Sequence, residues 1–128
     1  MRIMIKKVGE PPYVEERETL TLEDMQGIVG GYIECLSITP TLDMWLNEEG
    51  KLIDLPLNLC VSNNGEIVDG ICGDVFFASH DSEGETIGIT EEHEKLVGGM
   101  YENLAIGLGD DDTMGVYPIM ELGGGSSD

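Results

Sequence analysis

Alternating apolar and polar positions predict that strands make up much of this chain. Residues 2–8 alternate and are rich in Ile and Met, and a second extended run follows at 13–19. Because two consecutive prolines break the chain between these runs, the pair is predicted to form an opening hairpin. Residues 32–38 alternate in the same way and predict a half-buried strand.

Two short helices are predicted from signals that mark where each begins. Thr21 opens a run of the capping-box form, the apolar residues after it recur at helical spacing, and Gly30 follows as a stop. Thr90 opens the second run, which has acids in its first turn, where the helix dipole favours them, and extends to about Leu104. Each helix therefore begins at a threonine followed by carboxylates.

Glycines predict where the chain reverses in its middle part. A hairpin is predicted across residues 42–55, with a turn in which Gly50 supplies a positive φ. In the apolar run 67–78, Gly70 and Gly73 mark either a β-bulge or a tight bend.

These elements predict an α+β fold, a mostly antiparallel sheet with two short helices in a single domain. With 128 residues, the chain has the size of one domain that buries about two-thirds of its unfolded surface. A last strand is expected at 116–122 after an acidic loop at 109–112, so the domain is predicted to span residues 1–122. Residues 123–128 have the composition of a flexible tail or linker.

Charge is the property in which the chain departs most from an average protein. It has 26 Asp and Glu against 6 Lys and Arg, a formal net charge of −20. Such a surface repels phosphate backbones and anionic membranes, and it attracts basic partners at low salt. We therefore expect no direct contact with nucleic acid or with a membrane. No apolar stretch approaches the ~20 residues that span a bilayer, and the first residues lack a signal peptide's apolar core, which predicts a cytoplasmic protein.

The two histidines show no pattern of a catalytic site. His80 follows an apolar strand, His93 lies in the first turn of a helix, and nothing in the spacing pairs them. The run Ser79-His80-Asp81 contains the residue types of a triad, but neighbours in sequence point in different directions. We therefore expect no catalytic residues and no enzyme.

Cysteines and carboxylates likewise predict no cofactor or metal site. Cys35, Cys60 and Cys72 have no CxxC pairing and are interpreted as reduced core residues. The acids at 110–112 with Glu121 lack the spacing of an EF-hand and predict no more than weak divalent binding.

Several segments, in matching order along the chain, carry a resemblance to a known family. They are the capped first helix, the junction Val29-Gly30-Gly31-Tyr32-Ile33-Glu34, the segment Asn47-Glu48-Glu49-Gly50-Lys51-Leu52, and the segment Leu55-Pro56-Leu57-Asn58. In these segments the chain resembles domain-of-unknown-function family 3846, small proteins of bacteria and their phages, over residues 1 to about 96. The resemblance implies a phage or mobile-element setting and host interaction, and it implies no catalytic residues.

Charge and resemblance together favour a non-enzymatic accessory protein that binds and inhibits a basic, nucleic-acid-binding host protein. Carboxylates on a rigid domain can imitate duplex DNA, whose phosphates supply one negative charge per ~1.7 Å of axis, and so occupy a restriction or CRISPR enzyme. The candidate partner-binding residues are Glu15, Glu16, Glu18, Glu23, Asp24, Glu48, Glu49, Glu83, Glu85, Glu91, Glu92, Glu94 and Trp45. Trp45, Met44 and Tyr101 are the residues to test as exposed apolar anchors, although burial in the core is the favoured interpretation of all three.

A small-molecule binding or sequestering protein is the alternative prediction. Because a signalling nucleotide is an anion, the basic residues would have to converge on one pocket. These residues are Arg2, Lys6, Lys7, Arg17, Lys51 and Lys95. The sequence leaves open whether the chain forms a homo-oligomer, with such a pocket at a subunit interface, and whether its role is instead structural.

Overall fold

Strands dominate the computed structural model, which describes residues 1–108 and 114–123. The elements in chain order are β1 (Arg2–Lys6), β2 (Tyr13–Glu16), α1 (Leu22–Val29), β3 (Ile33–Ser37), β4 (Asp43–Asn47), β5 (Leu57–Asn63), β6 (Glu66–Cys72), β7 (Val75–His80), β8 (Thr86–Ile87), α2 (Glu91–Gly98), a 3-10 turn (Gly99–Tyr101), β9 (Leu104–Leu108) and β10 (Met114–Glu121). The opening hairpin, both helices and the last strand are confirmed.

The strands form two sheets. The first has the order β2-β1-β7-β4-β3, with β8 also paired to β7, and the second has the order β6-β5-β10-β9. Every pairing is antiparallel except that between β5 and β10, which is parallel. The predicted α+β fold with a mostly antiparallel arrangement is confirmed, although the strands divide into two sheets rather than one.

The larger core cluster lies between the two sheets. Phe77 and Met44 from the first sheet, Leu59 and Met120 from the second, and Val97 from α2 are almost completely buried in it. Burial of such side chains is the main favourable term in folding, so the two sheets and α2 are held as one body.

The second core cluster lies on the other face of the first sheet, beneath α1. Met25 and Val29 of the helix pack with Ile3, Ile5 and Phe76 of the sheet. Helix α1 therefore covers one face of the first sheet, while the second sheet and α2 cover the opposite face.

The start and end of α1 follow directly from the sequence. The Thr21 hydroxyl accepts from the backbone N–H of Asp24 at 3.1 Å, and the Asp24 carboxylate accepts from the N–H of Thr21 at 2.9 Å. Gly30 ends the helix with φ of 79°, a conformation that L-residues with a Cβ rarely adopt.

The predicted hairpin across residues 42–55 is wrong. Strand β4 pairs with β3 on one side and β7 on the other, and the chain after it continues as turns to residue 54. Gly50 has no positive φ; a Cβ there would lie 2.7 Å from the carbonyl oxygen of Cys72, so close approach of backbone is what requires glycine. Leu52 and Ile53 are exposed, so burial does not hold them in a strand.

Of the two alternatives predicted for the apolar run 67–78, the tight bend is confirmed: it lies at Gly73, with φ of 88°, and separates β6 from β7. Strand β5 was not predicted. Helix α2 ends at Gly98 rather than near Leu104, because a 3-10 turn follows and Leu104 already begins β9.

Some predictions concern residues outside the part of the chain that the structure describes. These are the acidic loop at 109–112 and residues 124–128 of the expected tail. Within 1–108 and 114–123, no helix is long and apolar enough to cross a membrane.

Candidate protein-binding edge

Strand β2 lies at an edge of the first sheet and carries carboxylates on both faces. Glu15 pairs in register with Ile3, which faces α1, whereas Glu16 pairs with Arg2 on the opposite face. Tyr13 is 37% exposed and Val14 is 39% exposed. The strand therefore presents an accessible apolar surface beside carboxylates that point to either side.

On the α2 side, one arginine joins acids from two elements. Arg2 donates from Nε to the Glu16 carboxylate at 2.8 Å and from Nη1 to the Glu94 carboxylate at 2.9 Å. These hydrogen bonds, first that to Glu16 and then that to Glu94, raise the pKa of Arg2. Because Glu91 and Glu92 lie exposed in the same first turn as Glu94, the start of α2 adds its acids to those of β2.

On the α1 side, a cleft of about 510 Å³ separates β2 from the helix. Its polar lining consists of Lys7, Tyr13, Glu15, Arg17, Glu23, Asp24 and Asp74. Hydrogen bonds from Thr21 lower the pKa of Asp24, so this carboxylate is charged at neutral pH. Arg17 is hydrogen-bonded to Glu15. Carboxylates therefore outnumber cations in the cleft.

We call this region the acidic edge. It comprises the predicted residues Glu15, Glu16, Glu18, Glu23, Asp24, Glu91, Glu92 and Glu94. They belong to β2, to the short connection from β2 to α1, and to the first turns of both helices.

The remaining predicted acids lie outside the elements that define the acidic edge. Glu48 and Glu49 follow β4, which is near the opposite edge of the first sheet. Glu83 and Glu85 lie in the turn between β7 and β8. All four are exposed, and none belongs to β2, to its connection to α1 or to the first turn of a helix.

Two of the three candidate apolar anchors belong to the core. Met44 is fully buried, so the core interpretation is confirmed there. Trp45 is partly buried and stacks on Phe76 with ring centroids 6.3 Å apart, and its indole N–H has no partner among the described residues. Tyr101 is 41% exposed, and its hydroxyl donates to the Glu10 carbonyl at 3.4 Å.

Tyr13 and Val14 are exposed apolar residues of β2 that sequence reasoning missed. Their position between carboxylates depends on β2 being an edge strand, which strand order decides and local pattern does not. The signal that was available is the aromatic and β-branched pair directly after the two prolines.

The basic residues do not converge on one pocket. Lys6 is buried, where Nζ donates to the Asn58 side chain at 2.7 Å and burial lowers its pKa. Arg2 is engaged by carboxylates at the surface, and Lys51 by Asp69 of the second sheet. In the cleft beside α1, Lys7 and Arg17 face a larger number of acids.

His80 has a carboxylate partner that the sequence did not indicate. Its Nδ1 lies 2.7 Å from the buried carboxylate of Asp43, which stands on the neighbouring strand β4. The adjacent Ser79 hydroxyl donates to the Thr41 carbonyl at 2.6 Å instead of to the histidine. The run Ser79-His80-Asp81 therefore does not form a triad. The Asp43–His80 pair could orient an imidazole, but no described nucleophile is hydrogen-bonded to it.

His93 has a structural role at the start of α2. Its Nδ1 accepts from the backbone N–H of Thr90 at 3.1 Å, which leaves the proton on Nε2 to donate to the Thr41 hydroxyl at 2.9 Å. Burial lowers the pKa of His93, in keeping with this neutral form.

The cysteines and Glu121 also have structural explanations. Cys60 is buried and Cys72 half-buried, but Cys35 is exposed, so the expectation of three core cysteines is wrong at this position. Although the residue as a whole is exposed, partial desolvation of its thiol, and then the charge of Asp43, raise the pKa of Cys35 to about 11, which keeps the thiol protonated. Glu121 accepts from the Ser62 hydroxyl and from two backbone N–H groups. No cluster of three metal-binding side chains occurs within the described ranges.

These features define a strongly acidic α+β domain in which eight of the 26 Asp and Glu residues lie along one sheet edge and at the starts of two helices. The chain belongs to the family described as a domain of unknown function (DUF3846), whose model matches residues 1–102. Strands β9 and β10 follow the matched part. No curated protein and no solved structure matches the chain.

Proposed function

We propose that this chain is a non-enzymatic binding protein that presents its acidic edge to a basic, nucleic-acid-binding protein of the bacterial cytoplasm. The observation that carries the proposal is the grouping of carboxylates around β2. Acids from three separate segments meet there, and Arg2 joins two of those segments directly.

A group of carboxylates on a rigid scaffold supports imitation of DNA. Glu15 and Glu16 project from opposite faces of β2, and acids at the starts of both helices flank them. A basic channel that accepts the phosphates of a duplex, one negative charge per ~1.7 Å of axis, is the kind of site that such a group of charges can occupy. Tyr13 and Val14 add the apolar contact that charge alone does not supply.

The biological setting in this proposal is a phage or mobile element, where the chain inhibits a restriction or CRISPR enzyme. The alternative, sequestration of a signalling nucleotide, receives less support, because the cleft beside α1 has more carboxylates than cations. An anion would be repelled there.

Capture from a bacterial lysate tests the proposal. The tagged chain is incubated with lysate at low salt, and bound proteins are identified by mass spectrometry before and after addition of duplex DNA or of salt. We expect a nucleic-acid-binding protein that duplex DNA displaces, because both ligands occupy the same basic channel.

Two matched variants separate the acidic edge from overall charge. The edge variant changes Glu18, Glu23, Glu91 and Glu92 to Gln, and the control variant changes Glu48, Glu49, Glu83 and Glu85 to Gln. All eight side chains are exposed, and both variants lose the same charge. Capture should be lost in the edge variant and kept in the control variant. Equal capture by both, or no captured protein that DNA displaces, would contradict the proposal.

A further inference from the structure

The hairpin of β9 and β10 exposes an apolar face. Cross-strand partners share a face of a sheet, and Ile106 pairs with Val116 while Leu104 pairs with Pro118. The exposed fractions are 52% for Leu104, 71% for Ile106, 68% for Met114 and 61% for Val116. We call these four side chains the arm face. Single exposed apolar residues are common on proteins, but four on one face are not.

The arm face continues the hydrophobic core beyond the body of the domain. Alternate residues of β10 point the same way, so one face carries, from the tip of the hairpin to its base, Met114, Val116, Pro118 and Met120. Met120 is 2% exposed and packs in the cluster between the sheets. The same face is thus covered at the base of the hairpin and uncovered farther out.

The arm face also lacks charge in a chain that is otherwise rich in it. Residues 104–107 and 114–120 contain no Asp, Glu, Lys or Arg, although the net charge of the chain is −20. The acids at 110–112 lie between the two strands in sequence, and none belongs to the arm face. The surface that covers the four side chains of the arm face is therefore expected to be apolar as well.

We propose that two copies of this chain meet through their arm faces, packed face to face across a two-fold axis. In such a contact each copy supplies the same surface, so an apolar and uncharged face meets its own complement. The acidic edge belongs to the other sheet, so the arm faces can meet without bringing the carboxylates of that edge together. Pairing through the outer edge of β9 would set the arm faces side by side and leave them in water, whereas stacking buries them.

The size of the arm face sets the expected strength of the dimer. Four such side chains offer roughly 400 Å² in each copy, at about 100 Å² for each side chain. Interfaces below ~1,200 Å² in total are typical of weak complexes. We therefore expect a dimer that forms and dissociates with concentration. It is independent of the proposed binding of a basic protein.

Analytical ultracentrifugation of the full chain from about 1 µM to 1 mM tests the dimer. The arm variant is Ile106→Asn with Val116→Asn, and the matched control is Ile67→Asn with Val68→Asn on β6 of the same sheet. Both control positions are also more than half exposed, and neither double variant changes the charge. The arm variant should weaken dimerisation at least about tenfold, while the control should match the wild type.

Salt distinguishes this contact from the binding of a basic protein. Screening reduces repulsion between two copies of charge −20, so added salt should strengthen the dimer, whereas it should weaken capture by the acidic edge. A wild type that stays monomeric throughout the concentration range would overturn the proposal, as would equal weakening by both double variants. Hydrogen exchange of the wild type gives a test without substitutions: protection at 104–107 should rise with concentration, and unchanged protection would contradict the dimer.

Discussion

At the scale of single residues, the buried contact between Lys6 and Asn58 links the two sheets. Asn58 accepts from Lys6 Nζ at 2.7 Å, and its amide donates to the carbonyls of Lys6 at 2.9 Å and Gly73 at 2.8 Å. A buried ammonium group is costly unless its hydrogen bonds are made. One asparagine therefore stabilises both the lysine and the backbone on either side of it.

Asn58→Ala should lower the free energy of unfolding by about 3 kcal/mol, because it leaves a buried ammonium and two buried carbonyls without these partners. Urea unfolding followed by circular dichroism measures the change. Asn63→Ala, at the exposed end of the same strand, is the control and should change stability by less than about 0.5 kcal/mol. Similar losses in the two variants would show that the Lys6 contact contributes little.

His93 makes stability depend on pH. Because burial lowers its pKa in the fold, the unfolded chain takes up a proton first as the pH falls through the ordinary value of 6.5. The contribution of neutral His93 is thus fully present above that pH and is lost below it. In His93→Gln the side chain does not titrate, but it retains an acceptor for the helix start.

The stability difference between wild type and His93→Gln should therefore shrink as the pH falls from about 7.5 to about 5.5. Urea unfolding at both pH values measures it, and carboxylates that titrate in both proteins cancel in the comparison. A difference that stays constant would show that the fold does not disfavour protonation of His93.

At the scale of elements, the sequence predicted correctly those features that depend on contacts between residues close together in the chain. Thr21, Asp24 and Gly30 lie within ten residues of one another, and the helix between them begins and ends as expected. The hairpin across 42–55 failed because β4 already has partners on both sides, one of which, β7, lies about thirty residues further along the chain. The pairing of β4 with a strand distant in sequence, rather than the local pattern of residues, therefore determined the structure of this segment.

Thr21→Ala should destabilise the protein by about 1 kcal/mol, since it removes the side-chain acceptor at the start of α1. Thermal unfolding should register a lower midpoint for this variant. Thr19→Ala, at an exposed position just before the helix, should leave the midpoint unchanged. If the two substitutions had the same effect, the capping box would not be stabilising α1.

At the scale of the whole molecule, composition predicted the charge but not its placement. Glu16 and Glu94 are far apart in sequence: the pairing of β2 with β1 brings Glu16 to Arg2, and the position of α2 brings Glu94 there. The same reason explains the pair of Asp43 and His80, which neighbouring strands bring together. Sequence alone predicted the acids of the edge together with four acids of other elements, because neither strand order nor helix packing can be inferred from local spacing.

The most direct test of the acidic edge is the affinity of the captured protein, once purified, for the wild type and for the two charge-matched variants. Fluorescence anisotropy over a range of salt concentrations gives the dissociation constant for each. Four exposed carboxylates that each contribute a few tenths of a kcal/mol predict about tenfold weaker binding by the edge variant at low salt. The control variant should stay within about twofold of the wild type. Equal weakening in both variants would mean that net charge rather than the acidic edge attracts the partner, and would contradict the account.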